Sequence, residues 1–112
     1  MTYEPFDVVV VPFPFSDSPK VKVRKALVLT PKSMNEKNGA TTLMMITSRK
    51  NSEWMGDVAL ENWSDAGLKK PCFARFKFFT AGNELIQGKV GSLSVADRGY
   101  VTGALESFLP KA

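Results

Sequence analysis

The side chains that could do chemistry in this chain of 112 residues are limited because it has no His and only one Cys. There is no His, which excludes His-based general acid–base catalysis and a His-ligated metal site. The one cysteine, Cys72, excludes an intramolecular disulfide and a Cys-ligated zinc or iron–sulfur cluster. The candidates are therefore Arg, Lys, Asp, Glu, Ser, Thr and Tyr side chains, and neither a metal nor a cofactor is expected.

A cluster of cations near the N-terminus is the first candidate for a binding surface. It places four positive charges within six residues, at Lys20, Lys22, Arg24 and Lys25. In an extended segment the first three share one face, where they could hold a phosphodiester backbone through charge-assisted hydrogen bonds. The alternative is a solvated strand edge, whose lysines discourage strand–strand aggregation.

A second polar group follows an apolar run in the middle of the chain. Thr47 and Ser48 end that run, and Arg49 and Lys50 follow directly. Hydroxyls at the end of a strand can donate hydrogen bonds to phosphate oxygens, but they also cap strands locally. The residue types alone leave both interpretations open.

Three further charged residues stand in apolar surroundings. Arg75 and Lys77 alternate with phenylalanines, and each either binds an anion or pairs with a nearby acid. Asp7 lies inside a run of valines, where a structural hydrogen bond is as plausible as catalysis.

Apolar and β-branched runs predict six strands, because such side chains suit a pleated surface. At Pro12 and Pro14 the first strand should end or become an edge strand, since proline cannot donate to a central ladder. The region from Pro31 to Asn38-Gly39 is predicted to be a loop, and Glu61–Leu68 a single helical turn closed by Gly67. The predicted strands are Phe6–Phe15, Arg24–Thr30, Thr41–Thr47, Asp57–Leu60, Pro71–Thr80 with one solvent-facing side, and Leu85–Leu93.

The chain should close with a helix that begins at the N-cap Ser94 and ends before Pro110. An apolar stripe on this helix is predicted to be core: Val101, Ala104, Leu105, Phe108 and Leu109. Many short strands followed by one helix predict a mainly β fold, a small antiparallel barrel capped by that helix.

Length and composition fit one domain over residues 1–112, since 44% of the residues are hydrophobic. The net charge of +4 is compatible with a polyanionic partner. No signal peptide and no apolar run of membrane-spanning length is apparent, so the expected location is the cytoplasm.

Five segments, taken in order, resemble the MazF/PemK family of toxins from toxin–antitoxin modules. They are F-D-V-V-V-V-P-F-P-F-S-D, V-R-K-A-L-V-L-T, L-M-M-I-T-S, G-D-V-A-L-E-N-W-S-D-A-G-L-K-K-P-C-F-A-R-F and G-S-L-S. The resemblance covers nearly the whole chain. It implies an SH3-like barrel, a homodimer, and metal-independent cleavage of single-stranded RNA, in which a ribose 2′-OH attacks the adjacent phosphate.

The resemblance also assigns roles to residues. It makes Arg24, Thr47 and Arg75 the catalytic residues. The residues expected to bind substrate are Asp17, Lys20, Lys22, Lys25, Ser48, Arg49 and Lys77.

The chain departs from the family pattern at four places. Lys77 stands where several members carry an acid two residues after the later Arg. Phe6 stands where the family has Gly, and Lys25 stands where Pro usually follows the strand-2 Arg. The Glu that some members carry before that Arg is missing, and Asp17 is the nearest carboxylate.

The implied partners are single-stranded RNA, a second copy of the chain and an acidic antitoxin. Operator DNA is a further possible partner of the toxin–antitoxin complex, and no membrane is expected. Two alternatives keep the fold. One is a nucleic-acid-binding barrel without strong catalysis that acts with its antitoxin in operon autoregulation. The other is a toxin that poisons gyrase, although the ending S-F-L-P-K-A lacks the terminal aromatic expected there.

Overall fold

A six-stranded antiparallel sheet, curled into a half-barrel, forms the centre of the molecule. The computed structural model describes residues 2–13 and 22–112. The strands are β1 (Asp7–Pro12), β2 (Val23–Val28), β3 (Ala40–Ser48), β4 (Val58–Ala59), β5 (Cys72–Gly82) and β6 (Gly88–Ser92). They lie in the order β4-β5-β3-β2-β1-β6. The helices are α1 (Lys32–Asn38), α2 (Val95–Phe108) and a 3₁₀ turn at Asn83–Leu85. The predicted mainly β fold with a C-terminal helix is confirmed.

The two faces of the sheet carry two separate apolar clusters, because side chains alternate along each strand. The first cluster lies between the sheet, α2 and residues 60–68: Val8, Leu27, Met44, Ile46, Leu60, Ala66, Leu68, Cys72, Ala74, Leu93 and Val101. The second fills the other face: Tyr3, Val9, Val11, Phe13, Ala26, Val28, Leu43 and Ala81. β1, the second half of β2 and the middle of β3 are thus covered on both sides, which explains the continuous apolar runs in these parts of the strands.

The helix α2 begins as predicted at Ser94, whose hydroxyl oxygen accepts a hydrogen bond from the Asp97 N–H at 3.2 Å. Only part of the predicted stripe is core. Val101 is buried, but Phe108 and Leu109 are 51% and 57% exposed. Phe108 still contacts the sheet, with its ring centre 4.6 Å from that of Phe76 in β5. No helix within residues 2–13 and 22–112 is long and apolar enough to cross a membrane.

The prediction of one solvent-facing side on the fifth strand is wrong. The ladder between β3 and β5 slips between Met44, opposite Phe78, and Met45, opposite Arg75, so that two residues of β5 bulge out. A bulge breaks strict alternation. Cys72 to Arg75, which pair regularly with β3 on one side of the bulge, are all buried, and Arg75 lies inside instead of facing solvent.

The loop predicted from Pro31 to Gly39 is instead the helix α1. Gly39 ends it in the left-handed conformation, with φ of 68°, and its N–H donates to the Asn35 carbonyl. The side chain of Asn35 is buried and donates to the carbonyl oxygens of Tyr3 and Thr30. The Asn38-Gly39 pair is therefore a helix C-cap, and this network of tertiary hydrogen bonds stabilises a helix too short to be stable alone.

Residues 61–67 form consecutive turns, not the predicted helical turn. Ala66 N–H donates to Trp63 O and Gly67 N–H to Ser64 O. The buried Asp97 carboxylate fixes the start of this segment by accepting the N–H groups of Glu61 and Asn62 at 2.9 and 2.8 Å. Gly67 does end the segment, with φ of 82°.

The last strand is shorter than predicted, because the 3₁₀ turn occupies Asn83–Leu85 and β6 starts at Gly88. The 61–67 turns cross β6 with the two backbones in direct contact. A Cβ on Gly67 would overlap the Val90 carbonyl, and a Cβ on Gly91 would overlap the Ala66 carbonyl. Glycine is therefore required on both sides of the crossing.

We expect Gly67→Ala to lower the free energy of unfolding by at least about 2 kcal/mol, since it adds a left-handed backbone penalty to this overlap. Chemical denaturation measures the loss. Gly103→Ala is the matched control, because its Cβ would meet open space within α2. That variant should be unchanged or up to about 1 kcal/mol more stable. Equal stability of both variants would contradict the close crossing.

The carboxylate of Asp7 joins β1 to β6. It accepts hydrogen bonds from the Glu4 N–H at 3.0 Å and the Ser92 hydroxyl at 2.7 Å, and it pairs with the Lys89 ammonium at 3.2 Å. Burial by itself would raise the pKa of Asp7, but the three donors together lower it below the ordinary value of 3.8. Asp7 therefore has a structural role.

The lowered pKa of Asp7 predicts a specific loss of stability in acid. Its contribution is complete above the unfolded-state pKa near 3.8 and disappears as the pH falls through the lower folded-state pKa. Asp7→Asn should be less stable than the parent at pH 7 by about 1–3 kcal/mol, and this difference should shrink below about pH 4. Denaturation midpoints at a series of pH values test this. A difference independent of pH would contradict the role of the charge.

Candidate active site

The start of β2 and the end of β3, two neighbouring central strands, diverge at one end of the sheet and open a pocket. The register between these strands runs from Val28 opposite Leu43 to Ala26 opposite Met45. The pairing ends there, and Arg24 and Thr47 each lie two residues further along their strands. Although they are far apart in sequence, both line the pocket.

The pocket has a volume of about 570 Å³. Both strand ends line it, together with the start of the following loop and the segment before β5. Its lining residues are Val23, Arg24, Lys25, Ile46, Thr47, Ser48, Lys50, Asn51, Leu68, Lys69, Lys70 and Cys72. The structure thus brings together four of the residues predicted from the sequence: Arg24, Lys25, Thr47 and Ser48.

The pocket is strongly cationic. Five of its lining side chains are positively charged, namely Arg24, Lys25, Lys50, Lys69 and Lys70, and none of the described lining residues is acidic. The two ion pairs within residues 2–13 and 22–112 lie elsewhere, at Arg75–Asp57 and Lys89–Asp7. A concentration of cations without acidic partners attracts a polyanion and repels a metal cation.

The hydroxyl of Thr47 has a defined orientation within the pocket. Thr47 is buried, and its Oγ1 accepts a hydrogen bond of 2.7 Å from the Asn51 side-chain amide. A turn places Asn51 there, since its backbone N–H donates to Ser48 O at 3.0 Å. With one lone pair of the oxygen engaged, the Thr47 O–H remains available to donate to a phosphate oxygen.

Arg75 does not line this pocket. The residue is 7% exposed, and its guanidinium makes two hydrogen bonds to the Asp57 carboxylate, from Nε at 3.1 Å and from Nη2 at 2.8 Å. Nη2 also donates to the carbonyl of Ser52. Of the two interpretations left open by the sequence, pairing with a nearby acid is the one found.

The remaining predicted substrate-binding residues lie around the pocket or outside the described part. Lys22 is exposed just before β2, and Arg49 is exposed with its guanidinium 5.5 Å from the centre of the Phe73 ring. Lys77 lies with its ammonium 5.8 Å from the centre of the Trp54 ring. Asp17 and Lys20 lie outside the described residues.

Three pocket residues escaped the sequence analysis: Asn51, Lys69 and Lys70. The adjacent pair Lys69-Lys70 was a visible signal, because it directly precedes the buried start of β5. Asn51 gave no such signal, since its position depends on the turn after β3.

Cys72 lines the pocket but is not equipped as a nucleophile. Its burial raises the pKa of the thiol above 9.0, and the nearby charges of Lys70 and Lys25 oppose this shift only in part. The thiol is therefore neutral near pH 7, and the thiolate is the reactive form. Cys72 is a small packing residue, as expected for a buried cysteine.

Solved structures share this fold over almost the full chain. A MazE–MazF structure from Deinococcus radiodurans matches with a TM-score of 0.78 and 18% identity, covering 100% of both chains. An endoribonuclease from a Mycobacterial species matches with a TM-score of 0.75 and 15% identity, covering 100% of this chain and 97% of the other.

A further structure is that of a Mycobacterial endoribonuclease in complex with its cognate antitoxin. It matches with a TM-score of 0.73 and 15% identity, over 99% of this chain and 98% of the other. At such identities the likeness shows a common fold. Among curated protein sequences, none is significantly similar to this chain.

Family membership rests on a match in sequence that spans the fold and the pocket together. The model of the PemK-like, MazF-like toxins of type II toxin–antitoxin systems matches residues 4–109, which include every strand, both helices and all the residues that line the pocket. The resemblance inferred from the five segments is thereby confirmed, and the chain belongs to this toxin family.

Proposed function

We propose that this protein is the toxin of a toxin–antitoxin module and acts as an endoribonuclease on single-stranded RNA. The observation that carries the proposal is the pocket that Arg24 and Thr47 both line. It has five cations, Arg24 included, and no acid among its described lining residues. The family supports the toxin assignment, and structural neighbours described as endoribonucleases support the reaction.

The reaction needs electrostatic stabilisation more than it needs a metal. The 2′-oxygen of one ribose attacks the adjacent phosphorus, the bond to the 5′-oxygen breaks, and the products end in a 2′,3′-cyclic phosphate and a 5′-hydroxyl. Negative charge builds up on the phosphate oxygens in the transition state. A guanidinium fork and an oriented hydroxyl, fixed before the substrate arrives, stabilise that charge.

The residues divide into three roles under this proposal. Arg24 stabilises the phosphorane, and Thr47 donates to one of its oxygens. The lysines Lys25, Lys50, Lys69 and Lys70 hold the neighbouring phosphates. Arg75 acts through the loop that it anchors, because its guanidinium is already bonded to Asp57.

The proposed partners follow from the charge of the pocket. An acidic antitoxin segment would compete with RNA for the same cations, and two of the structural neighbours were solved with their antitoxins or as a MazE–MazF pair. Homodimerisation and operator binding by the toxin–antitoxin complex remain predictions from the family.

Incubation of the purified protein with a long RNA in the presence of EDTA tests the proposed reaction. Discrete cuts that end in 2′,3′-cyclic phosphate are expected. RNA that is bound but remains intact would favour the nucleic-acid-binding alternative, for which the absence of an acidic proton acceptor among the described lining residues is the specific observation.

Arg24→Ala should lower kcat for RNA cleavage about 10²- to 10³-fold, by analogy with the loss of one oxyanion donor. Arg24→Lys should restore little, because an ammonium cannot make the paired hydrogen bonds of a guanidinium. Lys32→Ala is the matched control. It removes the same charge from an exposed position at the start of α1, by the opposite end of β3 from Thr47. Cleavage by Arg24→Ala at the rate of the control would overturn the assignment.

A double-mutant cycle tests whether Asn51 orients Thr47. Thr47→Val should lower kcat strongly, and Asn51→Ala should lower it about fivefold to tenfold, the effect of one net hydrogen bond. If Asn51 acts through the hydroxyl, Asn51→Ala should have no further effect in the Thr47→Val background. Effects that multiply would show that the two residues act separately. Asn51→Asp should lower kcat further than Asn51→Ala does, because a carboxylate would accept the proton that Thr47 must donate to the phosphate.

A further inference from the structure

An exposed tryptophan, Trp54, lies beside the pocket and belongs to neither apolar cluster. Trp54 is 44% exposed, in the segment of residues 49–57 that joins β3 to β4. It follows Asn51, a pocket residue, by three positions, and three residues span at most about 10 Å. The ring is therefore close to the cations that would bind the RNA backbone.

Two charged groups contact the Trp54 ring. The Arg75 guanidinium lies 4.5 Å from the ring centre, and the Lys77 ammonium lies 5.8 Å from it. Arg75 is in turn bonded to Asp57, which also accepts the backbone N–H of Trp54 at 2.8 Å. The buried ion pair, the ring and the backbone of the loop are thus connected to one another.

We propose that the exposed part of the Trp54 ring is a stacking platform for a base of the bound RNA, next to the phosphate held in the pocket. The inference rests on the proposed function, since it takes single-stranded RNA as the ligand. Single-stranded nucleic acids are held by cationic grooves combined with aromatic side chains on which bases stack. A ring fixed in advance loses little conformational freedom on binding. Stacking on this ring favours every base to some degree, so it contributes affinity and only modest sequence preference.

Tryptophan fluorescence can follow this contact directly, because the chain has only Trp54 and Trp63. Trp63 is half-buried against the first apolar cluster. The Trp63→Phe variant therefore reports on Trp54, and Trp54→Phe reports on Trp63. The ligand is a single-stranded oligonucleotide with 2′-hydrogen in place of 2′-OH, which cannot be cleaved. Inorganic polyphosphate serves as a probe that has charge but no bases.

The oligonucleotide should quench the fluorescence of Trp63→Phe and leave that of Trp54→Phe unchanged, while polyphosphate should quench neither. Trp54→Leu should weaken oligonucleotide binding about tenfold and raise KM for RNA with little change in kcat. Trp54→Phe should retain most of the affinity, since it keeps an aromatic face. Met55→Ala, at the fully exposed neighbour, is the control and should bind like the parent. Thermal unfolding separates loss of binding from loss of fold.

Two results would overturn the proposal that Trp54 is a stacking platform. One is the absence of quenching in Trp63→Phe under conditions where the oligonucleotide binds. The other is a Trp54→Leu variant that binds the oligonucleotide normally but loses affinity for an acidic peptide, which would make the ring a protein-binding site. Failure of the proposed function gives a different result. In that case the parent protein binds the oligonucleotide and its fluorescence is quenched, but RNA stays intact. Such a protein has the stacking platform and lacks the cleavage reaction.

Discussion

The buried ion pair between Arg75 and Asp57 is the interaction on which the site depends most. Burying two charges costs free energy unless geometry and hydrogen bonding are good, and here the guanidinium makes two bonds to the carboxylate and one to the Ser52 carbonyl. Breaking such a pair leaves one charge buried alone, which is strongly destabilising. The pair therefore ties β5 to residues 52–57. This anchors the far end of the loop, whose near end carries Lys50 and Asn51.

A bulge in β5 lies directly beside that ion pair. The slip between Met44 and Met45 interrupts the alternation of the strand at Phe76 and Lys77. On one side of it Cys72 to Arg75 are buried in succession, and Arg75 is bonded to Asp57 and Ser52 of the loop. A cation that the sequence pattern predicts to be exposed is therefore an internal anchor. The cations of the pocket, unlike Arg75, are not paired with an acid. They lie where β2 and β3 separate, and no acid lies beside them in the described part of the chain.

The sequence predicted what depends on local chemistry. Pro12 ends β1, Ser94 caps α2, and the runs of β-branched residues form the covered strands, because each of these follows from the residue's own conformational preferences. It also predicted Arg24, Thr47 and Ser48 as site residues through the family resemblance, and all three line the pocket. What it missed depends on tertiary partners. The helix α1 needs the buried Asn35, the placement of Arg75 needs Asp57, and Asn51 needs the turn after β3.

Phe6 shows how a departure from the family pattern can be accommodated. Its φ of 72° is the left-handed conformation that the family's glycine would adopt freely, and a residue with a side chain loses about 1–2 kcal/mol there. Such strain persists only where the surroundings fix the backbone. The Phe6 N–H donates to Val28 O at 2.8 Å, and its carbonyl accepts from Leu93 N–H at 3.0 Å. The ring packs on the first apolar cluster, with the Arg98 guanidinium 5.4 Å from its centre. Burial of the ring offsets the strain, and the turn still directs Asp7 into its three hydrogen-bonding partners. The turn is therefore what the fold requires at this position, and glycine is one of two ways to make it.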